Sequence, residues 1–386
     1  MLRKHHTKSR SIRGAIAVAA LVGGVVGVSG TGPAGASAGQ VVTPLGASLT
    51  PTQLVSQFLG AGVTASNVTY TGADAAAGTF TGMNAIGFDS GIVLSSGQAA
   101  DVVGPNTDEG TSTQLGQPGD ANLDAIVAPD VTEDAAVLQF DFVPTADHIQ
   151  FQYVFGSEEY NEFVYEFNDV FAFYVNGVNC ATVPGSNPAQ AVAINTINGG
   201  KPFGTNPSNP SLYRNNSLDD PGPPTIDTQM DGLTTVLTCS APVNVGQPNH
   251  LKLAVADTND QELDTAVFLR AASFSTPAPP ACAAVSASTL EGTPVGVTLA
   301  GTDPNVGDTL TYTTTPPAHG TLSGTAPALT YTPEAGYTGP DSFTYTANDG
   351  TASCDPAGVV SLTVTAPTPT TAAPAPVVAA APQFTG

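Results

Sequence analysis

The order of hydrophobic and polar positions indicates a chain built mostly from β-strands. Residues 148–155 show this best, because every second position from Ile149 to Phe155 is aromatic or aliphatic, which is the period of a strand with one buried face. Residues 170–176 are apolar almost throughout, as expected of a central strand. Further strands are predicted at 67–70, 78–81, 91–95, 137–143, 251–256 and 266–274.

Two short helices are also predicted in this half of the chain. Thr50 is a good N-cap, Pro51 suits the first helical position, and Gly60 follows the last apolar residue of the pattern. A second helix is predicted within residues 119–128, with Asp120 as its cap.

The composition changes after Ser275, where residues 276–280 form a Pro-rich linker. Residues 281–366 then show strand patterns at the regular intervals typical of a β-sandwich. The chain has 41 Gly and 33 Pro, a composition that favours short strands joined by turns. The sequence therefore predicts an all-β protein: a large sandwich-type N-terminal domain over residues 39–275 and a small Ig-like sandwich.

The two ends of the chain differ in composition from the two predicted domains. Five basic residues precede an apolar run from Ala15 to Val28, which is followed by Ala36-Ser37-Ala38, so residues 1–38 are expected to be a cleaved secretory signal peptide. A retained membrane anchor is the alternative, although the run is short for a span. Residues 367–386 are a Pro/Thr/Ala-rich tail.

The charge of the exported protein would be strongly negative. Without the leader, four Lys and Arg face all 32 Asp and Glu, so the formal charge of −23 becomes −28. Such a chain repels nucleic acid and anionic lipid and attracts divalent cations. The alternative is that the negative charge only keeps the protein soluble.

Four cysteines, Cys180, Cys239, Cys282 and Cys354, are expected to be paired in an oxidising compartment. Three pairings are possible. If each domain closes its own bridge, the pairs are Cys180–Cys239 and Cys282–Cys354.

Two acidic stretches lie between strands of the large domain. The stretch FGSEEYNEFVYEFNDVFAF, residues 155–173, places carboxylates inside the most aromatic part of the chain, and ADTNDQELD, residues 256–264, joins two later strands. Loops at strand ends can bring both sets of oxygens to one rim, and calcium selects six to eight such hard ligands. Magnesium, which keeps most of its waters, is the weaker expectation, and solvated, hydrogen-bonded turns are the alternative. The second stretch lacks the spacing of an EF-hand.

A third acidic group belongs to the smaller module. It comprises Asp303, Asn305 and Asp308, together with Asn348-Asp349-Gly350. These residues are good turn formers in any case, so a turn and a calcium site are both open here.

The same acidic residues could also indicate an enzyme, because glycosidases use a pair of carboxylates in catalysis. Glu158 and Glu159 are adjacent, so on a strand they would point to opposite faces and make a poor acid and nucleophile pair. The chain has no Trp to stack on sugar rings, and it contains no nucleophile elbow, zinc-protease motif or phosphate-binding glycine loop. No enzymatic activity is therefore expected, with a carbohydrate-active hydrolase using Glu158 or Glu159 as the alternative.

Several motifs in their order resemble the choice-of-anchor L domain of bacterial surface proteins. They are GIVLSSGQA, GDANLDAI, AVLQFDFVPTADHIQFQYVFGS, FGSEEYNEFVYEFNDVFAFYVNG, DGLTTVLT and LKLAVADTNDQELDTAVFLRAASF, and the resemblance covers about residues 41–275. Residues 281–366 resemble bacterial Ig-like or cadherin-like modules through DTLTYTTTPPAHGTLSG and LTYTPEAGYTGPDSFTYTANDGTAS. The last motif of the first domain has Thr265 where a serine is usual, which keeps a hydroxyl.

The resemblance implies an extracellular or cell-surface protein and leaves the activity of the first domain undefined, while Ig-like modules act as spacers and adhesion units. We therefore expect an adhesion protein whose surface ligand, a protein or a glycan, is unknown. Its acidic motifs fall on seven residues, which are the expected ligands of a structural calcium ion: Glu158, Glu159, Asn168, Asp169, Asp257, Asp260 and Asp264. A matrix component without a specific ligand is a blander alternative. The end of the chain departs from the Leu-Pro-x-Thr-Gly sorting motif, so free secretion, non-covalent attachment and truncation are all open.

Overall fold

The computed structural model describes residues 39–367 except 223, 306 and 351. The expected signal peptide and all but the first residue of the expected tail lie outside this range. Within it, none of the helices has the length and apolar character needed to cross a membrane.

Strands dominate the described chain. They are β1 (Val41–Pro44), β2 (Val63–Thr71), β3 (Ala77–Thr81), β4 (Gly91–Ser95), β5 (Thr132–Pro144), β6 (His148–Ser157), β7 (Val170–Val175), β8 (Val178–Asn179), β9 (Tyr213–Asn215), β10 (Gly232–Thr234), β11 (Leu237–Pro242), β12 (Asn249–Thr258), β13 (Thr265–Arg270), β14 (Ala281–Cys282), β15 (Val285–Leu290), β16 (Val295–Thr298), β17 (Gly301–Thr302), β18 (Thr311–Thr314), β19 (Gly320–Thr325), β20 (Ala328–Pro333), β21 (Gly339–Asn348) and β22 (Gly358–Thr365).

The helices are short. The α-helices are α1 (Pro51–Phe58) and α2 (Ala121–Val127), and the 3-10 turns are Asp74–Ala76, Asn84–Ile86, Ala99–Val102 and Pro210–Leu212. Thr50 caps α1 through a capping box with Gln53, and the Asp120 carboxylate caps α2, as the sequence predicts.

The N-terminal domain is a sandwich of two sheets. One sheet has the order β1-β3-β4-β13-β6-β10-β9, with β11 also paired to β6, and the other has the order β2-β5-β12-β7-β8. Aromatic rings from both sheets meet in the core, where the ring centroids of Tyr153 and Phe173 lie 5.0 Å apart and those of Phe151 and Phe173 lie 5.2 Å apart. The alternating pattern of β6 therefore does bury one face against the opposite sheet.

Some boundaries differ from the predicted ones. Helix α1 ends at Phe58, and Gly60 lies outside it, where a Cβ would stand 2.3 Å from the carbonyl oxygen of Ala272. Gly60 is thus required by close backbone approach, not by the helix end. The strand predicted at 266–274 ends at Arg270, because Ala272 adopts a φ of +54°.

The C-terminal module is a smaller sandwich. Its sheets have the orders β15-β22-β21-β18 and β16-β20-β19, with a separate β14-β17 pair. The core contains Tyr331, Phe343 and Tyr345, each at most 3% exposed. The fold class is therefore all-β, with one large and one Ig-like sandwich.

Both expected disulfides are present, Cys180–Cys239 and Cys282–Cys354. The first links the segment after β8 to β11, so it joins the two sheets of the N-terminal sandwich. The second closes the C-terminal module.

Candidate cation-binding site at the sandwich rim

Four strands of the N-terminal sandwich end or begin at the same rim. Thr265 at the start of β13 pairs with Ser157 at the end of β6, and Ala256 near the end of β12 pairs with Val170 at the start of β7. The two acidic loops, residues 158–169 and 259–264, therefore leave the sheets side by side.

Five carboxylates from these loops and strand ends interact with one another, and we call them the rim cluster: Glu159, Asp169, Asp257, Asp260 and Asp264. Four are at most 1% exposed, and Asp260 is half-buried. Asp257 follows a β-bulge in β12, which shifts the register against β5 between Val255 and Asp257.

Each of the four buried members has an oxygen without a hydrogen-bond donor among the described residues. These oxygens are Glu159 Oε2, Asp169 Oδ2, Asp257 Oδ1 and Asp264 Oδ2. Backbone groups satisfy other oxygens: the Thr258 N–H donates to Asp169 Oδ1 at 2.9 Å, and the Thr113 N–H donates to Asp264 Oδ1 at 2.9 Å. Backbone donors thus hold one oxygen of Asp169 and one of Asp264 in place, and the four oxygens without a donor are free to bind a ligand.

Burial raises the pKa of every member, and repulsion from other members raises it further for Glu159, Asp169 and Asp257. Burial, followed by the charges of Asp169 and Asp260, raises the pKa of Glu159 to about 10, and burial raises that of Asp264 to about 7. Burial likewise holds the pKa values of Asp169 and Asp257 well above the ordinary range. A positive charge at the rim would reverse these shifts.

The basic side chains in the described chain are engaged elsewhere. Lys201 is paired with Glu166, Lys252 with Asp120, Arg214 donates to the carbonyls of Ala85 and Ile86, and Arg270 donates to Gln152. No salt bridge reaches the rim cluster from the described Lys, Arg or His residues.

Two of the seven predicted ligands are placed differently from the rest. The Asn168 amide oxygen accepts a hydrogen bond from the Asn195 N–H at 2.9 Å. Glu158 is fully buried, both of its oxygens lack a described donor, and the charges that act on it are those of Asp231, Asp264 and Glu109. Glu158 therefore interacts with Asp264 of the rim cluster and also with acids outside it, whereas Glu159 interacts with Asp169 and Asp260.

Gly97 takes part in the rim in a way that the sequence pattern does not reveal. An added Cβ there would lie 1.7 Å from Asp264 Oδ2, so only glycine leaves room for this carboxylate. The residue follows the strand predicted at 91–95 and lies in the motif GIVLSSGQA, for which no role in the acidic site is predicted.

Sequence reasoning also missed a second acidic cluster. Glu109, Glu162 and Asp219 each bring a carboxylate oxygen within 4.8 Å of the others, and we call them the loop cluster. Asp219 lies in the polar segment 196–232, and the Asp219-Asp220 pair was the available signal. The three residues are distant in sequence, so spacing did not connect them.

The acidic turns of the C-terminal module do converge. Asp303, Asp308 and Asp349 bring oxygens within 4.8 Å of one another. Asn305 is used differently, because its side chain accepts from the Ala278 N–H and donates to Ser275 Oγ and to the Thr276 carbonyl. It therefore fixes the linker to the module.

Comparison with known proteins identifies both parts of the chain. The Choice-of-anchor L domain model matches residues 41–275, and the Bacterial Ig domain model matches residues 277–363. No similar sequence was found among curated proteins. A surface-anchor domain followed by a bacterial Ig domain marks a cell-surface protein. Since the first match spans more than half of the chain, the protein belongs to the choice-of-anchor L domain family.

Proposed function

We propose that the protein is a non-enzymatic adhesion protein whose partner-binding loops are fixed by calcium at the rim cluster. The observation that carries the proposal is the set of four buried carboxylates with unpaired oxygens and no salt bridge from a described basic residue. The family assignment supports the location at the cell surface, and the Ig-like module is typical of proteins that make contacts there.

The energetics favour a bound cation over solvated turns. An ionised carboxylate removed from water without a partner costs several kcal/mol, and such groups normally protonate or bind a metal. Solvated turns would leave these oxygens open to water, whereas Glu159, Asp169, Asp257 and Asp264 are at most 1% exposed. One divalent ion would offset both the burial and the mutual repulsion.

Calcium suits the ligands better than magnesium. The rim cluster offers carboxylate oxygens from two separate stretches of chain, 159–169 and 257–264, and calcium accepts six to eight such ligands in irregular geometry. Magnesium demands six ligands in a near-ideal octahedron and gives up its waters reluctantly.

The geometry gives little support to the hydrolase alternative. A glycosidase needs two carboxyl groups on either side of an accessible sugar bond. Glu158 and Glu159 are at most 1% exposed and face different carboxylates, so a substrate would not reach both.

A thermal melt of the full chain tests the calcium part. At fixed ionic strength, calcium is expected to raise the Tm over that in chelator by about ten degrees or more, saturably, and magnesium by much less. Asp257→Asn should remove most of this gain, whereas Asp147→Asn on an exposed turn should keep it. A gain equal in magnesium, or unchanged in Asp257→Asn, would contradict the calcium site.

The adhesion part needs its own measurement. Beads coated with the full chain are applied to arrays of glycans and of extracellular matrix proteins, in calcium and in chelator. Saturable binding to a defined partner in calcium, reduced in chelator, is expected. Absence of binding in calcium would contradict adhesion and favour a matrix component, and glycan cleavage abolished by Glu158→Gln would favour the hydrolase.

A further inference from the structure

The loop cluster joins three segments that are far apart in the chain. Glu109 follows the 3-10 turn Ala99–Val102, Glu162 lies in the loop between β6 and β7, and Asp219 lies in the polar segment 196–232. Glu162 and Asp219 are close enough for their carboxyl groups to share a hydrogen bond, and Glu109 is near both. Three acids at this distance repel one another unless a proton or a cation lies between them.

A buried carboxylate, Asp231, lies close to the loop cluster, and one of its two oxygens has no hydrogen-bond donor among the described residues. Gly232 of β10 pairs with Ser157 of β6, which brings Asp231 beside the end of β6. Asp231 is 0% exposed, and its Oδ2 has no donor among the described residues. Its Oδ1 accepts from the Asn106 side chain at 2.6 Å. Asp231 lies within electrostatic reach of all three members of the loop cluster.

The pKa values of acids at the loop cluster are raised, as they are at the rim cluster. Burial, together with the charges of Glu109, Glu162 and Asp219, raises the pKa of Asp231 to about 9, against the hydrogen bond from Asn106. Burial and the contact with Asp219 raise the pKa of Glu162 to about 7.

The surrounding hydrogen bonds fix the positions of the acids without neutralising them. Glu109 accepts from the Leu218 N–H and from the Ser217 hydroxyl, and that hydroxyl in turn accepts from the Asp219 N–H at 3.1 Å. Lys201, on the same surface pocket as Glu162 and Asp219, directs its ammonium to Glu166. The site is thus preorganised and open to solvent through a pocket of about 360 Å³.

We infer that Glu109, Glu162 and Asp219, backed by Asp231, form a second divalent-cation site with a preference for calcium. It lies beyond the rim cluster on which the proposed function rests. A cation there would tie the segment 196–232 to the loop after β6 and to the segment that carries Glu109. The ligands are hard oxygens from separate segments, an irregular arrangement that calcium accepts more readily than magnesium, which usually binds one or two carboxylates and keeps its waters.

Calcium stoichiometry of the full chain tests the inference. After chelation and buffer exchange, the protein is titrated with calcium in a calorimeter at neutral pH. The double substitution Glu162→Gln and Asp219→Asn is expected to lose one calcium equivalent, or to bind it at least ten times more weakly. Glu166→Gln, four residues from Glu162 and exposed, is the matched control and should keep every equivalent.

The outcomes separate this site from the rim cluster. If the double variant binds as many equivalents as the wild type with equal affinity, the second site does not exist, whatever Asp257→Asn does. If Asp257→Asn keeps every equivalent while the double variant loses one, the second site stands and the rim site fails. Equal affinity of the second site for magnesium would overturn the calcium preference.

A folding control keeps the test decisive. Removing mutual repulsion should leave the double variant at least as stable as the wild type in chelator. If it melts earlier there, Asp219→Asn alone is used, because Asp219 is exposed and its replacement leaves the core intact. That variant should still bind the second calcium more weakly, and unchanged binding would refute the site.

Discussion

Asp341 in the C-terminal sandwich and four members of the rim cluster in the N-terminal sandwich are all buried, but their carboxylates differ in hydrogen bonding. In the C-terminal module, Asp341 is 7% exposed and accepts four hydrogen bonds, from the backbone N–H groups of Ala318, His319 and Ser342 and from the Tyr331 hydroxyl. In the N-terminal sandwich, the buried members of the rim cluster each have an oxygen without such a donor.

The pKa values show the consequence of this difference. Burial tends to raise the pKa of Asp341, but the hydrogen bonds from Tyr331 and the backbone outweigh it and hold the pKa below the ordinary value. The pKa values of the rim cluster are raised instead. Burial alone therefore does not indicate a cation; burial without donors does.

The largest loss of stability is expected from substitution of Asp341, because all of its hydrogen-bond donors are supplied by the protein. Asp341→Ala leaves three backbone N–H groups and the Tyr331 hydroxyl without their acceptor, and should lower the free energy of unfolding of the module by about 3 to 5 kcal/mol. Urea unfolding in chelator and in calcium should give the same loss. A loss that appears only in calcium would mean that Asp341 also binds an ion.

A smaller, pH-dependent effect is expected from the rim cluster in chelator. The raised pKa values mean that the folded state keeps protons that the unfolded chain releases near pH 4 to 4.5, so stability falls as pH rises from about 5 toward 8. The contribution of Asp264, whose pKa is raised to about 7, should be complete near that pH, while that of Glu159 continues above it, with a total loss of about 2 kcal/mol or more. Melts at pH 5, 6, 7 and 8 measure it.

Calcium should flatten this pH dependence, because the ion replaces the protons. Asp341 provides the internal control: its lowered pKa contributes stability that is present above its unfolded value and lost only as pH falls below about 4. Stability that rose from pH 5 to pH 8 in chelator would contradict the raised values.

The smallest change in stability is expected from substitution of Glu166, because the Lys201 ammonium already neutralises its charge. Glu166 is exposed and paired with Lys201, so Glu166→Gln should change the free energy of unfolding by less than about 1 kcal/mol. The rise in Tm on adding calcium should equal that of the wild type. A reduced rise would show that Glu166 also acts through the ion.

The parts of the fold that depend on local pattern were predictable from the sequence. The alternation in β6, the caps of α1 and α2, and the acidic loops at strand ends all follow from neighbouring residues. Strands β9 and β10 were missed because each has only three residues, within or at the end of the polar segment 196–232, too few for a period to show.

The rim was predicted only in part, for a physical reason. Asp169, Asp257 and Asp264 adjoin strands whose pairing sets their positions. Asn168 is not part of the rim cluster, because its amide oxygen accepts a hydrogen bond from the Asn195 N–H. Glu158 interacts most strongly with Asp231, which lies 73 positions away in the sequence. Contacts of this kind arise from the folding of the long segment 196–232, which no local pattern encodes.

The disulfide between the two sheets has a mechanical consequence. Cys180 and Cys239 are 59 positions apart, and the enclosed chain contains Asp219, Asp231 and the whole segment 196–232. When the domain is stretched from both sides, force passes through the sulfur bridge and bypasses this loop. At about 3.5 Å for each extended residue, roughly 200 Å of contour length is withheld. The domain would thus lengthen less under load, and the segment between Cys180 and Cys239, which carries Asp219, would stay unextended while Glu109 and Glu162, which lie outside it, are pulled away.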